Sequence, residues 1–176
     1  MRWFFLVALV VEAFLTGEMT YRNAQVDDAH GISQVFMECY NISSLQEGID
    51  VFHEETKKGY NYIVAVEGDE VVGISSWIRQ GLFKHRLCEL SRIAVKSAYR
   101  TNGIAQQLFI ALERSARDEY ARYGFPLRKM YILTHANNLR AHSFYKKMGC
   151  VHEATLKNHY YADMDEWVFT KFYDNG

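Results

Sequence analysis

The chain has 176 residues, of which 49% are hydrophobic and 15% aromatic, and its formal net charge is −1. This length and apolar content suit a single domain with a substantial buried core. A net charge so close to zero produces no overall basic field, which argues against sequence-independent binding of nucleic acid.

The first 18 residues differ from the rest of the chain. Trp3 to Val11 is an apolar run that resembles part of a signal peptide, but Glu12 interrupts it and no A-x-A cleavage pattern follows. The run is also shorter than the roughly 20 residues that a membrane-spanning helix needs, so no stable membrane span is predicted. We interpret residues 1–18 as an N-terminal extension, compatible with an upstream start codon, that either packs as a helix or remains peripheral, and residues 19–176 as the domain.

The first half of the domain alternates strand and helix patterns. Ser44 and Glu47 form a capping box at the start of the second helix, and Gly68-Asp69 is a hairpin turn between two strands. The predicted elements are a strand at Thr20 to Ala24, helices at Asp28 to Tyr40 and Ser44 to about Lys58, and strands at Tyr62 to Glu67 and Glu70 to Ile78.

The second half continues this pattern without a linker or a repeat. It contains predicted strands at Arg86 to Val95, Lys129 to His135, Cys150 to Leu156 and Glu166 to Phe172, and predicted helices at Gly103 to about Tyr123 and Asn138 to Lys147. The whole order predicts one mixed α/β (α+β) layer domain.

The turn after the strand that ends at Val95 has the chemistry of a phosphate site. Lys96 and Arg100 precede Gly103, a long amphipathic helix follows, and no acidic residue occurs between Lys96 and Gln107. Free N–H groups and the positive end of a helix dipole meet at such a point, so the turn is predicted to bind a phosphate.

Two motifs resemble those of the GNAT-type N-acetyltransferases. Arg100-Thr101-Asn102-Gly103-Ile104-Ala105 matches Q/R-x-x-G-x-G/A, and residues 138–150 match N-x-x-A-x-x-F-Y-x-x-x-G-F except for Cys150 in place of phenylalanine. The resemblance is specific over residues 86–157 and looser over residues 19–80. It implies a GNAT-like fold: a mostly antiparallel central sheet, splayed at the cofactor site and flanked by helices. It also implies acetyl-CoA as the cofactor.

The resemblance assigns the cofactor-binding residues. The loop from Arg100 to Ala105 would hold the pyrophosphate, and backbone groups of the strand end would bind the pantetheine arm. Asn138, Ala141 and Tyr145 share one helix face, and this face would contact the cofactor. The predicted cofactor-binding set is Ile93, Ala94, Val95, Arg100, Thr101, Asn102, Gly103, Ile104, Ala105, Asn138, Ala141 and Tyr145.

Two residues are candidates for catalysis. The resemblance gives the Tyr145 hydroxyl the role of protonating the departing thiolate, with Phe144 beside it pointing to the core; the alternative is a buried aromatic whose hydroxyl bonds to the backbone. Glu89, on the strand before Val95, is the candidate base, since an amine near pKa 10 needs a proton acceptor. The alternative for Glu89 is a surface or salt-bridged acid, and Glu67, Glu70 and Asp163 are reserve candidates.

The predicted reaction moves an acetyl group from acetyl-CoA to a primary amine by direct attack in a ternary complex. The alternative is a non-catalytic module that binds acyl-CoA and has a regulatory or structural role, because a pyrophosphate loop establishes binding and not turnover. Asn41 to Lys58 and a loop at Lys157 to Asp165 are expected to shape the acceptor pocket. Their acidic and aromatic residues suit a cationic amine, either a small molecule or a peptide, without distinguishing a polyamine, an amino acid, an aminoglycoside or a protein N-terminus.

The types and spacing of the cysteines and histidines support further predictions. No metal site is expected, because the Cys/His pairs do not repeat at zinc-ligand spacing. Cys39, Cys88 and Cys150 are too few and too scattered for a disulfide framework, which favours a reducing compartment and predicts a cytoplasmic protein. A homodimer is left open.

Overall fold

The computed structural model describes residues 18–173, so the interpretation of the first 17 residues lies outside the described part of the chain. The strands are β1 Met19–Asn23, β2 Asn61–Glu67, β3 Glu70–Arg79, β4 Leu87–Val95, β5 Lys129–His135, β6 Val151–Tyr161 and β7 Met164–Phe172. The helices are α1 Ala29–Cys39, α2 Leu45–Lys57, α3 Ile104–Arg122 and α4 Leu139–Lys147, with 3₁₀ turns at Val26–Asp28, Phe83–His85 and Ser97–Tyr99.

The strands form one mixed sheet in the order β1-β2-β3-β4-β5-β7-β6. All neighbouring pairs are antiparallel except β4 and β5, which run parallel. The parallel pairing extends only from Leu87–Lys129 to Leu90–Ile132, after which the two strands diverge. The predicted fold, a mostly antiparallel sheet that is splayed at one point and flanked by helices, is confirmed.

A β-bulge lies at the start of this divergence. Ser76 of β3 pairs with Arg92 of β4, but its neighbour Trp77 pairs with Leu90, so Ser91 is an extra residue in β4. A bulge bends its strand and increases the local twist. Its position next to the last β4–β5 pair accounts for the separation of the two strands.

Each face of the sheet carries its own hydrophobic core. On one face, α3 packs through Leu108, Phe109 and Leu112 onto residues such as Trp77. On the other face, α1 and α2 pack through a second cluster that includes Phe36 and Phe52. The sheet is therefore the middle layer of a three-layer domain.

Most predicted element boundaries agree with the structure to within a few residues. The capping box predicted at α2 is confirmed in part: the Ser44 hydroxyl accepts a hydrogen bond from the Glu47 N–H (3.2 Å), but the Glu47 carboxylate accepts from the N–H of Ser43 (2.7 Å), one residue before the N-cap. The Asn138 side chain caps α4 by accepting from the Ala141 N–H at 3.1 Å. These polar side chains replace acceptors that the first turn of a helix lacks.

The predicted loop between the last two strands is wrong. β6 continues to Tyr161 and β7 begins at Met164, so only Ala162 and Asp163 form the turn. The register shifts between Leu156 and Tyr161, and Asn158 has a φ of 48°, which shows an irregular strand. Asp165 holds this irregularity by accepting from Lys157 Nζ (2.6 Å) and the Asn158 N–H (3.1 Å). The polar residues that resemble a loop in the sequence therefore belong to a bulged strand.

The contact between α1 and α2 depends on Gly48. A Cβ atom at this position would lie 2.2 Å from Ser33 Oγ and 3.0 Å from Ser33 Cα, and Ser33 is fully buried. We expect Gly48→Ala to lower the free energy of unfolding by about 1 kcal/mol or more, because overpacking costs about 1–3 kcal/mol while alanine improves helix propensity by only about 1 kcal/mol. Urea denaturation measures this change. Gln46→Ala, at an exposed position of the same helix, is the control, and equal stability of the two variants would contradict the tight helix contact.

Three further properties concern the described residues alone. No helix between residues 18 and 173 combines the length and the apolar character needed to cross a membrane. Cys39, Cys88 and Cys150 are free thiols, and the last two are buried. Within the same range, no group of three or more His, Cys, Asp or Glu side chains is arranged to hold a metal ion.

Candidate active site

A cavity of about 610 Å³ opens where β4 and β5 diverge. Most of the predicted cofactor-binding residues line it, and they come from β4, the following loop, the start of α3 and one face of α4. These residues are Ile93, Ala94, Val95, Arg100, Thr101, Gly103, Ile104, Ala105, Asn138, Ala141 and Tyr145. Asn102 of the loop is exposed and is not among the lining residues, and neither is Glu89.

The loop at the mouth of the cavity presents unpaired N–H groups. Gly103 caps α3 with a φ of 75°, a left-handed conformation that favours glycine. The first backbone bond of the helix runs from the Gln107 N–H to the Gly103 carbonyl (3.1 Å), so the N–H groups of Ile104 and Ala105 precede the ladder and point out of the helix end. Together with the helix dipole, these N–H groups make the start of α3 electrostatically favourable for an anion.

Cationic side chains surround this loop. Arg100 Nε donates to the Val95 carbonyl at 2.9 Å, which places the guanidinium across the end of β4. Arg140 and Lys147 of α4 also line the cavity. Lys96, in contrast, is buried, and its Nζ forms a salt bridge with Glu70 Oε1 at 2.7 Å. Its charge therefore stabilises the end of the sheet and does not face the cavity lining.

The diverging end of β4 exposes backbone along the cavity wall. Ile93 to Val95 pair with β3 on one side, whereas their other edge is beyond the last pair with β5. Tyr40, at the end of α1, also lines the cavity, and burial raises the pKa of its hydroxyl to about 12 despite the nearby Arg92 cation. A strand edge without a strand partner can bind an extended ligand by adding it to the sheet, and at this end of β4 the Val95 carbonyl already accepts from Arg100 and Cys39.

Tyr145 is deeply buried in the cavity wall, with 6% of its surface exposed. Its ring packs against Phe169 and Phe144, and its hydroxyl makes no hydrogen bond to another residue of the described chain. Burial raises the pKa of this hydroxyl well above the ordinary value, so it is protonated at neutral pH. The expectation that Phe144 points to the core is confirmed by its contact with Phe109, and Phe144 also lines the cavity.

Glu89 lies on the α1–α2 face of the sheet, outside the cavity lining. Its Oε2 accepts hydrogen bonds from Gln80 Nε2 (2.8 Å) and from the Tyr131 hydroxyl (2.9 Å). Burial and then the charge of Glu89 raise the pKa of Tyr131. Glu89 is therefore a half-buried carboxylate that is held in place by two donors.

Two more tyrosines lie near Glu89. The pKa of Tyr160 is raised first by burial and then by the negative charges of Glu89 and Glu166, and the pKa of Tyr60 is raised by burial and by charges that include Glu89. We call Tyr60, Tyr131 and Tyr160 the tyrosine cluster. It surrounds a region of negative charge on the face of the sheet opposite α3.

His135 and Glu166 are two further residues beside the cavity that were not predicted from the sequence. His135 ends β5 and lines the cavity, and its Nδ1 contacts the Glu166 carboxylate on β7, which is 2% exposed. A histidine in the last position of a strand that precedes a matched motif is a signal that the sequence contains. The burial of Glu166 is not such a signal, because it depends on the register of β5 and β7.

Comparisons with known proteins identify relatives of this arrangement. A family model described as the acetyltransferase (GNAT) family matches residues 29–150. Among solved structures, a GNAT-family protein from Desulfovibrio desulfuricans has a TM-score of 0.73 and 19% identity, covering 88% of this chain and 99% of its own.

Two other solved structures carry informative names. The protein yncA from Salmonella typhimurium, whose structure contains its cofactor acetyl-CoA, has a TM-score of 0.68 and 17% identity, covering 91% of this chain and 96% of its own. Ribosomal-protein-alanine N-acetyltransferase from Brucella melitensis has a TM-score of 0.68 and 19% identity, covering 88% of this chain and 99% of its own. At these identities the likeness shows the fold. No curated protein matches the sequence.

Proposed function

Because the chain belongs to the GNAT acetyltransferase family, we propose that it transfers an acetyl group from acetyl-CoA to the nitrogen of a primary amine by direct attack. The observation that carries this proposal is the cavity between β4 and β5, which is lined both by the loop at the start of α3 and by Tyr145. Its volume of about 610 Å³ lies in the range of small-molecule and cofactor sites.

The residues present fit acetyl-CoA, which supplies an acetyl group activated as a thioester. A Cβ atom at Gly103 would meet nothing within 4 Å, so the space before α3 is open to a phosphate. The N–H groups of Ile104 and Ala105, with Arg100, would hold the pyrophosphate. The free edge of Ile93 to Val95 would hold the pantetheine arm as an added strand.

We assign Tyr145 the role of general acid. Its hydroxyl lies in the cavity wall without a competing hydrogen bond within residues 18–173, and its raised pKa keeps the proton in place at neutral pH. A buried acid of this kind delivers a proton to the sulfur that leaves the acetyl group. The surrounding motif supports the same role through the family resemblance.

We assign Glu89 the role of a base that acts through Tyr131. The Tyr131 hydroxyl donates to Glu89 Oε2, so it can pass its proton to the carboxylate while its oxygen takes a proton from the ammonium group of the acceptor. The negative charges of Glu89 and Glu166 and the aromatic rings of the tyrosine cluster favour a cationic acceptor. A small-molecule amine and a peptide N-terminus both meet this description.

An amine panel tests the proposal. Spermidine, 2-phenylethylamine, kanamycin and a tetrapeptide that begins with alanine are offered with acetyl-CoA, and the release of free thiol is followed. At least one amine is expected to raise thiol release above the rate without acceptor, and mass spectrometry should find the acetyl group on its nitrogen. Tight binding of acetyl-CoA by calorimetry, together with no turnover on any amine, would favour the non-catalytic module.

A further inference from the structure

His135 and Glu166 form a second proton-accepting pair next to the cavity. The two residues are directly opposite each other in the β5–β7 register, so their side chains share one face of the sheet. His135 Nδ1 contacts Glu166 Oε1, and no other hydrogen bond to the Glu166 side chain is found within residues 18–173. A buried carboxylate with one imidazole partner fixes the orientation of that ring.

The backbone holds His135 in the same position. Its carbonyl accepts hydrogen bonds from the Asn138 N–H (2.9 Å) and from His142 Nε2 (3.0 Å) at the start of α4. The His142 ring is itself stacked on Trp167, with centroids 4.3 Å apart and planes 6° from parallel. His135 is therefore anchored to α4 and β7 while 43% of its side chain is exposed.

One ring nitrogen of His135 is available to accept a proton. Because Nδ1 faces a carboxylate that can only accept, it carries a proton in the neutral ring, and Nε2 is then a free proton acceptor. His135 lines the cavity that Tyr145 and Ala141 also line. It is four residues from Tyr131 on β5, an even spacing that places both side chains on the same face of the sheet as the tyrosine cluster.

The acceptor nitrogen loses a second proton after the attack begins. The nitrogen of an ammonium group carries three protons and the nitrogen of the amide product carries one, so two protons leave it in each turnover. Glu89 takes the first, before the nitrogen lone pair attacks the acetyl carbon. The second leaves as the C–N bond forms and the C–S bond breaks, while Tyr145 protonates the sulfur. Because Tyr145 gives its own proton to the sulfur, its oxygen must be reprotonated, and a base beside the cavity can take the second proton from the nitrogen and return it by way of water.

We infer that His135, oriented by Glu166, accepts this second proton on Nε2. His135 is then a catalytic residue and Glu166 a positioning residue. The proton on Nε2 passes to water, because the ring is partly exposed, and water returns a proton to the Tyr145 oxygen. This inference rests on the proposed function, and it adds a group that neither motif contains.

A measurement on the free protein tests the geometry without turnover. In protein labelled with ¹⁵N-histidine, the ring-nitrogen shifts of neutral His135 should show the proton on Nδ1, whereas a neutral imidazole in water prefers it on Nε2. Glu166→Met, which has a similar length but no acceptor, should shift the ring to the Nε2-protonated form. A wild-type ring with the proton on Nε2 would overturn the inference.

Kinetics test the role itself. With the amine that gives the highest rate in the panel, His135→Gln should lower kcat by about 100-fold, the lower end of the range for a positioned acid or base, and leave acetyl-CoA affinity unchanged. Glu166→Met should lower kcat in the same direction. His30→Gln, an exposed histidine on α1, is the matched control and should retain full activity.

The outcomes separate this inference from the proposed function. If the wild-type protein turns over and His135→Gln is fully active, the histidine has no catalytic role. If the wild-type protein binds acetyl-CoA and acetylates no amine, the proposed function is wrong, and the inference about His135 is then wrong as well. His135→Gln changes a partly exposed side chain, so its result does not depend on whether Glu166→Met folds.

Discussion

Replacing Gly103 with aspartate is expected to abolish the binding of acetyl-CoA. The aspartate carboxylate would lie at the start of α3, beside the N–H groups that receive the phosphates. Two unit charges about 4 Å apart near a protein surface repel each other by about 4 kcal/mol, so affinity should fall by at least about 100-fold. Isothermal titration calorimetry with acetyl-CoA measures the loss.

Gly103→Asn is the matched control. Asparagine has the same shape as aspartate and also tolerates the left-handed backbone at φ 75°, but it carries no charge. Because a Cβ atom here meets nothing within 4 Å, both variants should fold with similar melting temperatures. The asparagine variant should keep most of its affinity. If both variants bind like the wild-type protein, the phosphate site is elsewhere; if both lose binding equally, the side chain and not the charge is responsible.

Tyr145→Phe is expected to lower turnover by about 10²- to 10⁴-fold, the usual contribution of a positioned general acid. Phenylalanine keeps the ring contacts with Phe144 and Phe169 and removes only the hydroxyl. The free protein should not be destabilised by an unpaired partner, because that hydroxyl makes no hydrogen bond within the described residues. The loss should therefore appear in kcat more than in KM.

Steady-state kinetics with the best amine and calorimetry with acetyl-CoA distinguish chemistry from binding in this variant. Tyr120→Phe is the control, because it also removes one hydroxyl from a buried tyrosine, but that hydroxyl bonds to the Leu87 carbonyl and lies away from the cavity. It should lower the melting temperature and leave kcat unchanged. Full activity of Tyr145→Phe would show that water protonates the sulfur and that Tyr145 is a packing residue.

The sequence predicts the parts of the site that depend on local chemistry. Gly103 needs a left-handed backbone, and Asn138 caps a helix through the Ala141 N–H, so both positions are recognisable from residue type and spacing. The divergence of β4 and β5 was predicted from the family resemblance. The splayed sheet that the resemblance implies is the one that the β4–β5 register shows.

The parts that depend on strand register were not predictable in the same way. Glu166 is buried because β7 pairs with β5 in one register, and a shift by one residue would turn its side chain to the other face. The irregular stretch from Leu156 to Tyr161 is stabilised by Asp165 on the neighbouring strand, a contact that no local pattern contains. The wrong and missing predictions therefore concern residues whose positions depend on long-range strand pairing.

The extra residue at Ser91 determines which side chains share a face of the sheet. In a regular strand Glu89 and Arg92, three positions apart, would point to opposite faces, and the bulge at Ser91 brings them to the same face. With it, Arg92 reaches Glu55 of α2 at 2.5 Å, on the same side as Glu89 and its partner Tyr131, while Ile93 joins the core beneath α3.

Position 91 acts through the bulge that it forms, and Ser91 also lines the cavity. Its deletion would leave Glu89 and Arg92 two positions apart, so Arg92 would stay on the face of Glu89, but β3 and β4 would pair without the bulge that bends β4 at the start of the divergence. The geometry of this site therefore depends partly on the length of β4. A sequence alignment that omits a one-residue gap here would assign every functional position between Arg92 and Val95 to the wrong face of the sheet.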